Sequence, residues 1–297
     1  MDILEGLNQE QQEAVSHDQG PLLIIAGAGT GKTTVITRRV AWLIDQALAR
    51  PDEILALTFT EKSAGEVEER VDKLLPYGYV DLWISTFHSF CERILQSHAL
   101  DIGLPNQFKV FDQTGQWLLV RKNLDKFSLN YYRPLGNPTK FIHALLEHFS
   151  RCKDEEVYPE DYLKHAEELI LNSDSAEFIR SNTNLSKKEI KEALTAEVKR
   201  TEEIADAYHA YQQLLLDNDA LDFGDLINYC LKLLRERPLI LGKYRQQFKY
   251  ILVDEFQDTN WAQYELVKLL AGSKNNLTVC GDDDQSIFRF RGASISN

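Results

Sequence analysis

Cysteine is scarce in this 297-residue chain. Its four members, Cys91, Cys152, Cys230 and Cys280, lie far apart and show neither metal-ligand nor redox spacing, so buried thiols in a reducing cytoplasm are expected. No apolar run approaches the about 20 residues that a membrane-crossing helix needs. The opening Met-Asp-Ile-Leu-Glu lacks the basic region and apolar core of a secretory leader, which leads to the expectation of a soluble protein with no membrane partner. Positive charge is also in deficit: 33 Lys and Arg face 46 Asp and Glu, a net charge of -13, which argues against a generally basic nucleic-acid binder. A local groove remains open to the chain, because a few placed cations and stacking rings suffice for one. Internal repeats and low-complexity segments are absent.

What is present argues for packed structure. Hydrophobic residues make up 43% of the chain, with 14 Phe and 12 Tyr. The length suits one large or two ordinary domains. The most informative stretch is Leu22 to Thr34, Leu-Leu-Ile-Ile-Ala-Gly-Ala-Gly-Thr-Gly-Lys-Thr-Thr. An apolar run breaks into closely spaced glycines and then into a lysine, two threonines and a helical pattern, the order of strand, phosphate loop and helix. The loop Ala26, Gly27, Ala28, Gly29, Thr30, Gly31, Lys32, Thr33, Thr34 matches the Walker A pattern except that Ala26 stands at the first glycine. Gly27, Gly29 and Gly31 let backbone amides turn inward around a phosphate, and the following helix adds its positive end. Lys32 supplies a cation for the β and γ oxygens, and the Thr33 hydroxyl suits Mg2+ ligation.

Upstream, Asn8 reads as the N-cap of a short helix carrying Gln11, whose amide matches the N6 and N7 edge of adenine. Downstream, Ile54 to Phe59 reads as a buried strand followed by a charged helix. Phe59 at the strand end either caps the core or stacks a base. Leu82 to Thr86 is a further strand, and Phe87-His88-Ser89 opens a helix whose hydroxyls, imidazole and free N–H groups suit either a nucleic-acid phosphate or an ordinary cap. From Cys91 to Asp217 strand-like runs disappear and charged helical segments dominate, which reads as an all-helical insertion. Arg121, Lys122, Lys126, Arg133 and Lys140 make part of it locally basic, whereas 154–168 is acidic. The α/β texture returns at Leu221 to Leu226, an N-capped helix start. The runs Lys249 to Val253 and Leu277 to Cys280 are strands.

Ligands of open parallel sheets gather at the carboxyl ends of the strands. Asp254 follows an apolar run as a Walker B carboxylate does, a position associated, like Thr33, with Mg2+. Glu255 is one step on, placed as a base for an attacking water. After the last strand, Gln285 offers an amide that suits a γ-phosphate or the attacking water. Phe288, Arg289, Phe290 and Arg291 then interleave rings and guanidiniums, a pattern suited to stacking unpaired bases and pairing with phosphates.

Taken in order, Gln11, the loop from Ala26 to Thr33, Thr58-Phe59-Thr60, Ser85-Thr86-Phe87-His88, Asp254 to Asn260 and Gly281 to Arg291 resemble superfamily 1 DNA helicases of the UvrD/Rep/PcrA type. The resemblance covers essentially the whole chain, with the helical insertion in the family's place. It implies an α/β, RecA-like P-loop NTPase domain with a parallel sheet (residues 1–90 and 218–297), interrupted by a helical insertion domain (91–217). It implies an ATP- and Mg2+-dependent motor that translocates 3'-to-5' on single-stranded DNA and opens duplexes at single/double-strand junctions. Gln11 would read adenine, and Lys32, Asp254, Glu255 and Gln285 would be catalytic. Phe59, Thr60, Thr86, Phe87, His88, Phe288, Phe290 and Arg291 would contact DNA.

Two departures stand out. Phe288 and Phe290 occupy positions where the family commonly has Tyr and Trp, which keeps the π faces and removes the polar handles. The second RecA-like domain, with the arginines that complete the cleft, is not in this sequence, so these residues alone are expected to bind Mg-ATP but neither hydrolyse it well nor unwind DNA. An N-terminal piece of a longer chain is the expected setting. Three other readings compete: the helicase part of a helicase-nuclease of the AddA or RecB kind, an ATP-gated DNA-binding module without motor activity, and a P-loop kinase of small molecules.

Overall fold

The computed structural model describes residues 2–27, 29–75, 82–132, 138–172, 187–273 and 276–282. In chain order these form α1 (Gln9–Val15), β1 (Leu22–Ile25), α2 (Lys32–Asp45), β2 (Ile54–Thr58), α3 (Glu61–Leu74), β3 (Trp83–Thr86) and α4 (Phe87–His98). Next come β4 (Lys109–Phe111), α5 (Gln113–Lys122), α6 (Pro138–Asp154), α7 (Pro159–Asn172), α8 (Lys187–Asp217) and β5 (Ala220–Asp222). The last elements are α9 (Phe223–Glu236), α10 (Pro238–Gln247), β6 (Tyr250–Val253), α11 (Trp261–Ala271) and β7 (Leu277–Gly281). None of the described helices is long and apolar enough to cross a membrane.

The chain divides into two compact units, residues 1–106 with 226–297, and residues 107–225. The first carries a five-stranded sheet in the order β1-β7-β6-β2-β3, every neighbouring pair parallel. Each of the five apolar runs read from the sequence is one of these strands. The central strands β2 and β6 are buried along their whole length, as a parallel sheet covered on both faces requires. One face packs on α2 and α3 through Val40, Leu43, Val67 and Val71. At the sheet's edge β1 alternates instead, with Leu23 and Ile25 exposed.

One polar side chain organises the start of this unit. Arg39 of α2 is 1% exposed, and its guanidinium donates to the carbonyls of Ala14, Val15 and His17 and to the Thr278 hydroxyl. It thereby gathers the carbonyl end of α1, helix α2 and strand β7. Burial lowers its pKa to about 10, with nearby Tyr250 and Asp18 opposing the shift.

The division between the units differs from the sequence expectation of 90/91 and 217/218, for identifiable reasons. Helix α4 buries Phe87, Phe90, Cys91, Ile94 and Leu95, so the chain stays with the first unit past residue 91. On the return, β5 pairs in parallel with β4, from Lys109 opposite Ala220 to Phe111 opposite Asp222, and belongs to the second unit. The insertion is therefore helical with a small parallel pair, whose three-residue strands are too short to register as a pattern. All four cysteines are free and buried, as expected.

The second unit packs around Phe149, which stacks on Tyr208 and Tyr211 at centroid distances of 4.7 and 5.4 Å. Beside this stack a fully enclosed ion cluster joins α6 to the start of α9. Lys153 Nζ lies 2.7 Å from Asp222 and 2.8 Å from Asp225. The N-capped helix start read from the sequence is here a reciprocal pair, each aspartate accepting the other's backbone N–H. Gly224 leaves the space this needs, since a Cβ there would stand 2.8 Å from Lys153 Cβ. Burial opposes ionisation of Asp222, but the Lys153 charge and hydrogen bond hold its carboxyl below the ordinary range. Burial and the charge of Asp222 push Asp225 up to about 6.

Replacing Lys153 by Met would leave these carboxylates enclosed without a cation, and the expected loss of stability is about 3–5 kcal/mol. Urea unfolding followed by circular dichroism measures it, and a loss below about 1 kcal/mol would show that the cluster is not held as described.

Candidate functional site

Because the sheet is parallel, all five strands deliver their carboxyl ends to one edge, and those polar clusters read from the sequence that fall among the described residues lie along it. At the exit of β1 the loop is fastened to its neighbour, Ala26 N–H donating to the carbonyl of Gly281 on β7. Gly29 and Gly31 have φ of 72° and 92°, conformations that side chains other than glycine resist. Gly31 is also crowded, since a Cβ there would lie 3.1 Å from Gln11 Nε2. The Gln11 amide is engaged at both ends: Nε2 donates to the Thr30 carbonyl at 3.0 Å, and Oε1 accepts Asn8 N–H within the capping box of α1. Thr34 continues α2, half-buried. Ala28 lies outside the described residues.

Lys32 is the centre of the cluster. It is 8% exposed, and its ammonium donates to the Ala26 carbonyl at 3.0 Å while Asp282 and Glu255 carboxylate oxygens stand 3.6 and 3.9 Å away. These partners come from the ends of β1, β7 and β6, three adjacent strands. One residue on, the Thr33 hydroxyl donates to Asp254 Oδ2 at 3.1 Å. Burial, and then the neighbouring Glu255 charge, push the Asp254 carboxyl above the ordinary range, against the Glu255 N–H, the Thr33 hydroxyl and Lys32. Glu255 itself has φ 50° and ψ 45°, left-handed backbone that costs a non-glycine residue about 1–3 kcal/mol and persists where surroundings impose it.

The arrangement can hold a polyanion. Its buried ammonium faces oxygen partners that an anion would replace, and a hydroxyl beside a carboxylate is a hard oxygen pair of the sort Mg2+ accepts alongside phosphates. Among the described residues no group of three or more His, Cys, Asp or Glu could hold a metal ion. Residues 7–297 match the family model described as UvrD/REP helicase N-terminal domain.

The chain belongs to the UvrD/REP helicase family.

Among its relatives, the ATP-dependent DNA helicase PcrA of Bacillus subtilis (strain 168) is 41% identical over 296 residues, covering 99% of this chain and 35% of that protein. The ATP-dependent DNA helicase PcrA of Staphylococcus aureus (strain Mu50) is 40% identical over 295 residues, with 99% and 36% coverage. The protein of the same name from Staphylococcus epidermidis shares 40% identity over the same extent. The chain thus spans about a third of the length of these relatives, and its UvrD-family α/β fold with a parallel sheet agrees with the sequence expectation.

Further along the edge of this UvrD-family sheet come the residues expected to face DNA. Phe59 is half-buried and Thr60 exposed at the exit of β2, where the Thr60 hydroxyl caps α3 by accepting Ser63 N–H. At the exit of the adjacent β3, Thr86 is buried and caps α4, and His88 is half-buried. Phe87 is 2% exposed, so its ring serves the core and is not available to a base outside. Glu61 was not anticipated: it accepts from the hydroxyls of Ser89 and Thr86 at 2.6 and 2.8 Å, and these bonds hold its carboxyl below the usual range. The hydroxyls that suited a phosphate are turned to a carboxylate, a partnership between residues 25 and 28 positions apart that spacing does not signal. Gln285, Phe288, Phe290 and Arg291 lie outside the described residues. Asp282 and Gln257 were given no role from the sequence, although both fall within the motif stretches Asp254 to Asn260 and Gly281 to Arg291 that follow strands.

Gly31→Ala should cost about 1–2 kcal/mol through its positive φ, and pairing it with Gln11→Ala should recover only the crowding share. Chemical denaturation of the single and double variants reads both, and a Gly31→Ala protein as stable as the parent would contradict the loop geometry.

Proposed function

We infer that this chain is the nucleotide-binding part of an ATP-dependent DNA helicase that moves 3'-to-5' along single-stranded DNA and opens duplexes at junctions. The observation that carries the reading is the cluster at the ends of β1, β7 and β6, with Lys32 between the Ala26 carbonyl and two carboxylates and Thr33 bonded to Asp254. The relatives at 40–41% identity, named as ATP-dependent DNA helicases, support it. The direction of movement rests on the family resemblance.

In this reading Lys32 exchanges the Ala26 carbonyl for β and γ oxygens, and the loop 26–34 supplies N–H groups to the phosphates. Gln11 meets adenine by giving up one of its two present partners. Thr33 and Asp254 would hold Mg2+ through oxygen, and the metal would supply positive charge to the phosphates. Glu255 takes the proton of the attacking water, and Gln285 senses the γ-phosphate. DNA lies along the same edge beyond β6, against Phe59, Thr60, His88 and the helix end at Thr86, with Phe288, Phe290 and Arg291 stacking bases and holding the backbone. Phe87 supports this surface from within. A second RecA-like domain of a longer chain closes the cleft, and an arginine finger of that kind contributes about 10^3 to 10^5 in rate to NTPases that use one.

In the full-length protein, Lys32→Ala and Glu255→Gln should each abolish unwinding, and Glu255→Gln should retain ATP binding; strand-separation and nucleotide-binding assays decide this. A Glu255→Gln protein that still unwinds would remove Glu255 as the base. Residues 1–297 alone should bind Mg-ATP while turning it over, with single-stranded DNA present, at least about 10^3-fold more slowly than the full-length protein. Equal rates would show that the catalytic cleft is complete within this chain.

A further inference from the structure

The Lys32 cluster contains a side chain with no assigned part, Gln257, in the 3-10 turn Phe256–Asp258 that follows β6. Its amide spans two strand ends. Nε2 donates to Glu255 Oε2 at 2.7 Å, and Oε1 accepts the backbone N–H of Asp282, just past β7, at 3.0 Å. The amide's orientation follows from its partners: a backbone N–H only donates and an ionised carboxylate only accepts, so the reversed amide would satisfy neither. The fit leaves little slack, because a Cβ at Gly281 would lie 3.0 Å from Gln257 Oε1. The Glu255 side chain is 38% exposed, and Lys32 reaches it only at 3.9 Å, so the 2.7 Å bond from Gln257 is the closer of these two restraints on it.

We propose that Gln257 is a positioning residue, which sets the direction of the Glu255 carboxylate and ties it to the backbone at the exit of β7. This rests on Glu255 acting on water as inferred above. A shift of the β7 exit then moves the carboxylate through one amide side chain. Because the amide carries no charge, it orients Glu255 without competing with Lys32 for the anion the site takes. Truncating it leaves the loop, Lys32 and the Thr33 to Asp254 bond in place and releases Glu255 and the Asp282 N–H together. Misplacing a reacting group by about 1 Å costs on the order of a hundredfold in rate.

The test uses the full-length protein with Glu255→Gln as reference, Gln257→Leu, and Gly281→Ala, which displaces the amide without altering it. Gln257→Leu should lower kcat of DNA-stimulated ATP hydrolysis about tenfold to a hundredfold, with KM for ATP within about threefold of the parent. Without nucleotide, the Asp282 amide should exchange hydrogen faster by mass spectrometry, and Gly281→Ala should show both effects to a smaller degree. A Gln257→Leu kcat within about twofold of the parent while Glu255→Gln is inactive overturns this proposal alone. Equal losses of kcat, ATP affinity and melting temperature in both Gln257→Leu and Gly281→Ala also overturn it, since that is the signature of a structural role. Parental turnover by Glu255→Gln overturns the base assignment, and the proposal with it.

Discussion

A lysine ammonium enclosed at the meeting point of three strand ends is the constraint on which the rest of this molecule turns. Burying such a charge is expensive unless it is paired and hydrogen-bonded. Lys32 meets that requirement with one carbonyl and two carboxylates drawn from β1, β7 and β6. No single strand could supply them. The parallel order β1-β7-β6 delivers them together, and Arg39 and the Ala26 to Gly281 backbone bond hold β7 against the loop and its helix. The partners are also ones that an incoming polyanion can replace, which makes the resting arrangement a stand-in for the loaded one.

The same edge carries both the residues proposed for the nucleotide and those proposed for DNA. β6 pairs with β2, and β2 with β3, so the loop carrying Phe59 and Thr60 and the cap at Thr86 continue the row that begins at the phosphate loop. Left-handed backbone at Glu255 and the bridging amide of Gln257 sit between the two halves. Strain of this kind belongs at positions that surroundings over-determine, and the neighbours here come from two strands at once.

Much of this was legible in the residues because its signals are local. The central strands β2 and β6 read as nearly continuous apolar runs, since both their faces are covered. Lys32, Thr33, Asp254 and Glu255 announce themselves by following such runs. What escaped was set by partners distant in the chain. Gln257 and Asp282 are 25 positions apart, and Glu61 finds Thr86 across the same interval. The family resemblance set Phe87 against DNA, but helix α4 turns its ring inward. The pair β4 and β5 has three residues in each strand, less than two periods of alternation. The unit boundary moved for the same reason, because helix packing carried the chain past Cys91.

The central claim, that Lys32 is held by protein groups which a nucleotide's phosphates displace, is tested most directly by a crystal structure of the full-length protein with Mg2+ and a non-hydrolysable ATP analogue. The account predicts the Lys32 ammonium on β- and γ-phosphate oxygens, the Ala26 carbonyl released, and the Thr33 hydroxyl turned from Asp254 to the metal. A nucleotide bound elsewhere, with Lys32 still on the Ala26 carbonyl and beside Asp282, would contradict it.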